Sequence, residues 1–329
     1  MTIRAILYDA EGHDKEVQLT DDLPDVLNDS RLLWVDLTDL SSPEVAPLLK
    51  TFGIDPAALE AQAVLDSKAA HRVTLQHFDK YFCVQAQSVN SEHEALEAEP
   101  VLFIVGSNFV ISLHPESMQV FNDFVTQNKF HTKLGDLSAA TFFSTLLDWL
   151  LARYFSAAES LEDLLDELDL SALGSNFDRD FLVKLSVIRK QVSSLRRWLV
   201  AHRDVFHALA RPDFSKAAEI APPAHFKLLA ERFERAVDAV ETTRSLVMGS
   251  YELFSTGISQ RTNETMRILT FYTVLLGILA VITGVFGMNV QPSFFGTNNM
   301  AFAAVVIGML ALSAVAMIVG RHRGWLRRL

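Results

Sequence analysis

The stretch Ile268–Asn289, ILTFYTVLLGILAVITGVFGMN, decides how the rest of the chain is read. It contains no Asp, Glu, Lys or Arg, and the charge-free run continues to Gly320. Within that run lie two apolar segments, Ile268–Phe286 and Ala301–Val319, joined by a short polar loop that begins with Gly287-Met288-Asn289. A helix needs about 20 mainly apolar residues to cross a hydrocarbon core of about 30 Å, and each segment has that reach. A single charge at the centre of such a helix costs about 3 kcal/mol on insertion scales, so two successive segments without one read as a pair of membrane helices.

Charge placement extends this reading. All 40 Asp and Glu, and 25 of the 29 Lys and Arg, lie before Ile268, which leaves that part at −15 and the last 62 residues at +4. The acidic part is a poor match for phosphate backbones, so nucleic acid is not expected as a partner. It can instead draw cations towards itself. Arg261 and Arg267 precede the first segment, Arg321, Arg323, Arg327 and Arg328 follow the second, and the loop between has no basic residue. The positive-inside rule then puts both termini on the cytoplasmic side of a bacterial-type inner membrane. Met1–Glu16 has no apolar run of signal-peptide length. The lone Cys83 excludes an intramolecular disulfide and a thiolate-cluster zinc site.

Residues 1–140 read as an α/β domain with a mixed sheet. Ile3–Tyr8, Leu32–Leu37, Val73–Phe78 and Tyr81–Val84 carry strand composition, and Val101–Val105 and Phe109–Leu113 form a hairpin across Gly106-Ser107-Asn108. Ser42–Leu49 and Pro56–Leu65 read as helices with Pro near their starts. Residues 141–221 read as a helical hairpin. Glu159, Glu162, Asp163, Asp166, Glu167 and Asp169 load its first helix with acid, and Lys184, Arg189, Lys190, Arg196, Arg197 and Arg203 load the next with base. The acidic face is either simply solvated or gathers cations.

Residues 222–267 read as a stalk helix continuous with the first membrane helix, 268–289. The loop 290–300, the second membrane helix 301–320 and the basic tail 321–329 follow. Phe226, Leu229, Phe233, Val237, Val240, Val247, Phe254 and Ile258 recur at helical spacing, and nothing from Ala224 to Asn289 forces a break. An unbroken helix of that length would extend about 100 Å at 1.5 Å per residue. Its apolar stripe calls for partners, and a symmetric bundle of subunits is expected to supply them.

Counting by threes and fours from Asn263 gives Met266, Thr270, Thr273, Gly277, Ala280, Gly284 and Gly287 on one face of the first membrane helix. The opposite face holds Ile268, Phe271, Leu275, Leu279, Ile282 and Phe286, which lipid accepts. The small, mildly polar face suits either close packing of helices or a water-filled pore. The second membrane helix is uniformly apolar and reads as outer and lipid-facing. Neither helix carries a carboxylate, imidazole or amine. A divalent ion using such a path would stay largely hydrated and touch hydroxyls, amides and carbonyls, which suits Mg²⁺ because it gives up its water reluctantly. No phosphate loop, metalloprotease helix or nucleophile triad has local support, so neither an enzyme nor a cofactor is expected. His202 and His207, five apart, do not share a helix face for a metal, and His71 and His77 read as surface residues.

Gly287-Met288-Asn289, placed after the first of two C-terminal membrane helices and ahead of the basic tail, resembles the signature of the CorA family of divalent-cation channels and transporters. Ile258–Leu269, ISQRTNETMRIL, resembles that family's pore-helix entry, and Val101–Leu113 its cytoplasmic hairpin. The resemblance implies a homopentamer in membrane lipid, with a cytoplasmic funnel of α/β domains, a pore of stalk helices and an outer ring of second spans. By position, Gly287, Met288 and Asn289 would form the selectivity ring, with the Asn289 amide oxygen meeting the water shell of the ion. Asn263 and Met266 would line the inner pore. Glu252 would sit at the acidic inner mouth, although a solvated stalk carboxylate accounts for it equally well. The chain departs from magnesium-transporting members in having Ile278, Leu279 and Ala280 where Pro-Leu-Thr is common, and no carboxylate in Val290–Gly296. Such departures also occur in the zinc-transporting ZntB branch. Zn²⁺ and Mg²⁺ are both candidate cargo, with a lean to Zn²⁺ and with Co²⁺ and Ni²⁺ behind them. Uptake is expected, though no residue fixes its direction. A membrane-anchored scaffold or metal sensor that does not conduct is the rival reading.

Overall fold

In Arg31–Thr38, RLLWVDLT, six consecutive residues from Leu32 to Leu37 are buried, so this strand has packing on both faces. The computed structural model that shows this describes residues 2–11, 13–18, 31–38, 45–55, 73–90, 96–114, 118–128, 134–174, 179–214, 223–288 and 299–323. The helix expected at Pro56–Leu65, residue Asn289 and positions 290–298 of the loop lie outside these residues. The chain forms two units, Met1–Ser250 and Tyr251–Leu329.

Among the described residues of the first unit, seven strands make one sheet. They are β1 (Thr2–Asp9), β2 (Lys15–Glu16), β3 (Arg31–Thr38), β4 (Thr74–His77), β5 (Phe82–Asn90), β6 (Glu97–Val105) and β7 (Phe109–His114). Their spatial order is β2-β1-β3-β7-β6-β5-β4, and every pairing is antiparallel except β3 with β7. The mixed sheet expected from the sequence is present. The strand expected at Tyr81–Val84 runs on to Asn90, because the polar Gln85, Gln87 and Ser88 that obscure it in sequence are themselves buried.

Alternation along the strands sorts side chains between two layers of helix. Leu33, Val35, Leu37, Ile104, Ile111 and Leu113 join the cluster that holds Val45 and Leu49 of helix α1 (Val45–Thr51). On the other face, Trp34 lies 5.7 Å from Phe121 and 5.5 Å from Phe124 of α2 (Gln119–Gln127), and 5.8 Å from Phe142 of α3 (Ala139–Gly174). Phe143 of α3 packs edge-on against Phe82 and Phe103 of the sheet. Each such ring buries about 150–250 Å², and edge-to-face pairs add roughly 1 kcal/mol. This aromatic layer fastens the start of α3 to the sheet. The β6–β7 hairpin turns at Gly106 as expected, and a side chain there would run into the Phe109 ring.

After α3 come α4 (Arg179–Val200), α5 (Arg203–Leu209) and the long α6 (Pro223–Gly287), 65 residues without a break. Thr243 and Ser250 of α6 donate hydrogen bonds to Glu162 and Asp169 of α3, so α3 and α6 run parallel. Arg196 meets Glu241, whereas Arg203 meets Glu234, so the α4–α5 arm runs antiparallel to both. The helical hairpin expected from the sequence is therefore antiparallel, but its opposite charges do not pair across it. Glu162, Asp169, Arg196 and Arg203 turn to α6 instead. The apolar stripe of α6 is likewise covered within the chain, with Phe226, Leu229, Phe233, Val237, Val240 and Val247 all buried in the first unit. Partner subunits are not needed to cover that part of the stripe, contrary to expectation. Ile258, in the second unit, remains exposed.

His202 closes the corner between α4 and α5. Beyond Gln85, where β4 stops pairing, the Gln87 N–H donates to His202 Nε2 at 2.9 Å and the Tyr154 hydroxyl donates to the Gln87 carbonyl at 3.2 Å. Nε2 is the acceptor, so Nδ1 carries the proton and donates it to the Trp198 carbonyl at 2.8 Å. Burial holds the His202 pKa down at about 4, well below its ordinary value. The folded state therefore excludes a proton that the unfolded chain accepts near pH 6.5. The stability from this neutral contact is complete above that pH and falls as the pH drops towards 4. We predict that wild-type protein loses up to about 1.4 kcal/mol of stability per pH unit across that window beyond the loss shown by His202→Gln. Thermal melts in detergent from pH 7 to 4 measure it, and parallel pH dependences would contradict the assignment.

Candidate functional site

The second unit holds residues 251–287 of α6 and the helix α7 (Asn299–His322). Both helices are long and apolar enough to cross a membrane. In α6, Ile268, Phe271, Leu275, Leu279 and Ile282 are half-buried; in α7, Val305, Met309, Ser313 and Ala316 are half-buried and Gly320 is buried. An open groove of about 790 Å³ between the two is lined by Arg267, Thr270, Phe271, Val274, Leu275, Ile278 and Ala316. Most of the bulky face of the first span, expected to meet lipid, is thus turned towards the second span of the same chain, while Phe286 at its end is exposed. The second span, expected to be lipid-facing, has one half-buried stripe, while Phe302, Ile307, Leu310, Val315 and Ile318 on its other sides are exposed. The reason is geometric: a bulky side chain interlocks with a neighbouring helix as readily as it contacts acyl chains, and van der Waals packing drives the association.

The other face of α6 is bare, with Thr270 at the edge it shares with the groove. Met266, Thr270, Thr273, Gly277, Ala280, Gly284 and Gly287 are all exposed, as are Glu252, Asn263 and Met288. These residues form a row along one helix and do not close into a pocket within one chain. A Cβ added at Gly277, Gly284 or Gly287 would meet nothing within 4 Å. The small side chains are therefore not required by packing inside the single chain.

The hydroxyls on this helix have defined polarity. Thr270 Oγ1 donates to the Met266 carbonyl and Thr273 Oγ1 to the Leu269 carbonyl, each at 2.8 Å. With the proton committed to the backbone one turn earlier, each oxygen presents lone pairs outward. Such a row accepts hydrogen bonds and donates few, which matches the outward-pointing hydrogens of water bound to a cation.

The first unit contains two further clusters that sequence reading did not single out. In the sheet, Ser112 donates to Asp36 and accepts a hydrogen bond from Trp34 Nε1 at 3.0 Å, while His114 Nε2 lies 2.9 Å from the same Asp36 oxygen. All four are buried, and the hydroxyl proton points at the carboxylate and not at the imidazole, so this is a structural network and no nucleophile triad. At the β1–β2 turn, Asp9, Glu11 and His13 bring ligand atoms within 4.8 Å of one another. The Asp9 carboxylate already accepts the Glu11 N–H at 2.9 Å and pairs with Arg31 at 3.4 Å, and the Glu11 N–H foremost holds its pKa below the ordinary carboxylate range. The D-x-E-x-H spacing was visible in sequence; the turn that gathers it was not. His207 is occupied by Glu234 at 2.9 Å, while His202 is buried between Gln87 and Trp198. His77 stacks edge-on with Phe214.

Comparison with known proteins bears on the same two helices. A family model described as CorA-like Mg²⁺ transporter protein matches residues 29–321. The cobalt/magnesium transport protein CorA of Thermotoga maritima is 24% identical over 301 residues, covering 89% of this chain and 83% of that protein. The complete structure of the CorA magnesium transporter from Methanocaldococcus jannaschii matches with a TM-score of 0.73 at 21% identity, over 99% of this chain and 100% of that one. The full-length CmaX structure matches with a TM-score of 0.68 at 22% identity, over 97% of this chain and 96% of that one. At such identities the structural matches establish the fold, including its long helix and C-terminal helix pair.

The bare face yields a direct test. Gly284→Leu has open space in the single chain, so helix content and the melting of the first unit are expected to stay at wild-type values. Oligomer mass in detergent or cation flux should change, because the new side chain fills whatever lies opposite. Wild-type mass together with wild-type flux would show that this face meets only lipid.

Proposed function

This chain belongs to the CorA family of divalent metal cation transporters, and we propose that it forms a homopentameric pore for largely hydrated divalent cations in the inner membrane, with both termini cytoplasmic and flux directed inward. The carrying observation is the asymmetry of α6: its bulky stripe is half-covered beside α7, while Met266, Thr270, Thr273, Gly277, Ala280, Gly284 and Gly287 are bare. Several copies meeting on that face would enclose a path of methylenes, hydroxyl oxygens and backbone.

The chemistry of the row supports hydrated passage. No charged side chain occurs from Ile268 to Gly320, so nothing there compensates a divalent ion for losing its first water shell. Thr270 and Thr273 would accept hydrogen bonds from that shell. Glycines at 277 and 284 would keep the path wide enough for ion plus water. Glu252 and Asn263 would face cations at the cytoplasmic end, and Gly287-Met288-Asn289 would form the selective entrance. The bare row carries neither imidazole nor thiolate, the ligands that Zn²⁺ favours. Together with the cobalt and magnesium named for the Thermotoga relative, this supports Mg²⁺ and Co²⁺ over Zn²⁺ and Ni²⁺ as cargo.

Proteoliposome uptake, with the four cations competing and with or without a pH gradient, tests the reading. Loading no faster than in protein-free vesicles would leave the non-conducting scaffold as the better account. Zn²⁺ outcompeting Mg²⁺ and Co²⁺ would restore the zinc preference, and dependence on the gradient would make the protein a proton-coupled carrier. Asn289→Ala is expected to lower flux at least about tenfold while the oligomer keeps its mass, since the entrance group is removed and the packed stripes are untouched. Dissociation of that variant into monomers would contradict the role given to Asn289. For Glu252→Gln we expect a decrease of about twofold at low ionic strength that disappears at high salt, as befits a charge that only concentrates cations. Flux equal to wild type at low salt would make Glu252 an ordinary surface carboxylate.

A further inference from the structure

The helices α3 and α4 carry segregated charge that the chain meets only in part, on the sides turned to α6. From Phe155 to Gly174 there is no Lys or Arg, and from Phe181 to Arg203 no Asp or Glu. On α3 the buried stripe is Tyr154, Ala158, Leu161, Leu165 and Leu168, and Asp163, Asp166 and Glu167 are exposed on the opposite arc, with Glu159 at its edge in a groove shared with Arg232 and Arg235 of α6. On α4 the buried stripe is Leu185, Ile188, Val192, Leu195 and Leu199, and Val183, Lys190 and Arg197 are exposed opposite it, flanked by Lys184, Val187 and Arg189. Both charged faces point away from the core, so the hairpin cannot bring them together. Among the described residues none of these four acids forms an ion pair, nor do Lys184, Arg189 or Lys190. The Arg197 guanidinium reaches only the Ser194 hydroxyl, at 3.1 Å.

The two faces also stand at the same level. Glu162 of α3 bonds to Thr243 of α6, and Arg196 of α4 pairs with Glu241, less than one turn away. Because α3 runs parallel and α4 antiparallel to α6, the acids at 159–167 lie level with the basic stretch 189–197. A second copy rotated about an axis along α6 would present its α4 face to the α3 face of the first without any shift along that axis. A contact of this kind is head-to-tail and closes into a ring instead of climbing into a filament. Two α3 faces would repel, which sets the order of meeting.

We propose that the acidic outer face of α3 docks against the basic outer face of α4 in a second copy of this chain, repeated around the oligomer. Asp163, Asp166 and Glu167 meet Lys190, Arg189 and Arg197, and the exposed Leu170, Val183 and Val187 add apolar contact. The interface rests on the homo-oligomer reading above and names the surfaces that build it outside the membrane.

Two chains with different tags, one bearing Glu159→Cys, Asp163→Cys or Asp166→Cys and the other Lys190→Cys or Arg197→Cys, are co-expressed and oxidised. A disulfide between the tags can form only across copies. The native Cys83 is buried and its thiol is pushed up to about 12, so it stays silent. At least one pairing is expected to give heterodimer about tenfold above Asp163→Cys expressed alone, and Lys190→Glu with Arg197→Glu in a cysteine-bearing copy that keeps another basic-face cysteine, Arg189→Cys, should abolish that gain. Adding Asp163→Lys and Asp166→Lys to the Glu159→Cys copy should restore it. If every pairing stays at background while the wild type keeps its oligomer mass, the α3 acids face only solvent or cations and the docking is wrong. A monomeric wild type would remove the oligomer reading itself.

Discussion

Everything in this chain is organised around one helix that must satisfy two solvents. From Pro223 to Gly287 the backbone never breaks. Through Ser250 its apolar stripe is buried against the chain's own helices. From Ile268 onward it carries no charge at all. A break within hydrocarbon would leave backbone N–H and C=O groups without partners, at several kcal/mol each. The glycines at 249, 257, 277 and 284 cost about 1 kcal/mol each in helix propensity, which packing outside the membrane and the lack of competing water within it can absorb.

The rest of the first unit serves to hold that helix. The aromatic layer around Trp34, Phe103, Phe142 and Phe143 locks the start of α3 to the sheet. The far end of the same helix reaches α6 through Glu162–Thr243 and Asp169–Ser250. Thr243 and Ser250 are buried, so a broken rung would leave a desolvated hydroxyl, which costs about 1–3 kcal/mol. One rigid element thus connects the sheet to the last turn of α6 in the first unit. The exposed ion pairs Arg196–Glu241 and Arg203–Glu234 add little energy and mainly set the register of the returning arm.

Much of this was legible in sequence because the signals concern solvent. Absence of charge over Ile268–Gly320 means hydrocarbon, and apolar periodicity from Phe226 to Val247 means one covered face. The β6–β7 hairpin followed from Gly106-Ser107-Asn108. The second half of β5 was not legible, because Gln85, Gln87 and Ser88 look like loop residues until His202 and Tyr154 are seen to take the Gln87 backbone. The row Met266–Gly287 was legible as a face, yet its exposure in the single chain was not.

The sequence by itself determined the two apolar C-terminal helices and the continuity of α6, since each depends on residue types and spacing along one chain. Tertiary structure decided which neighbour covers which face. It placed the α3–α4 hairpin, not another subunit, over the α6 stripe, and set α7 beside Phe271 and Leu275 in place of lipid. The physical reason is that periodicity states that a face must be covered and is silent about the covering surface. An apolar side chain gains nearly the same from acyl chains, a sister helix or a second copy, and only the geometry of the folded chain selects among them.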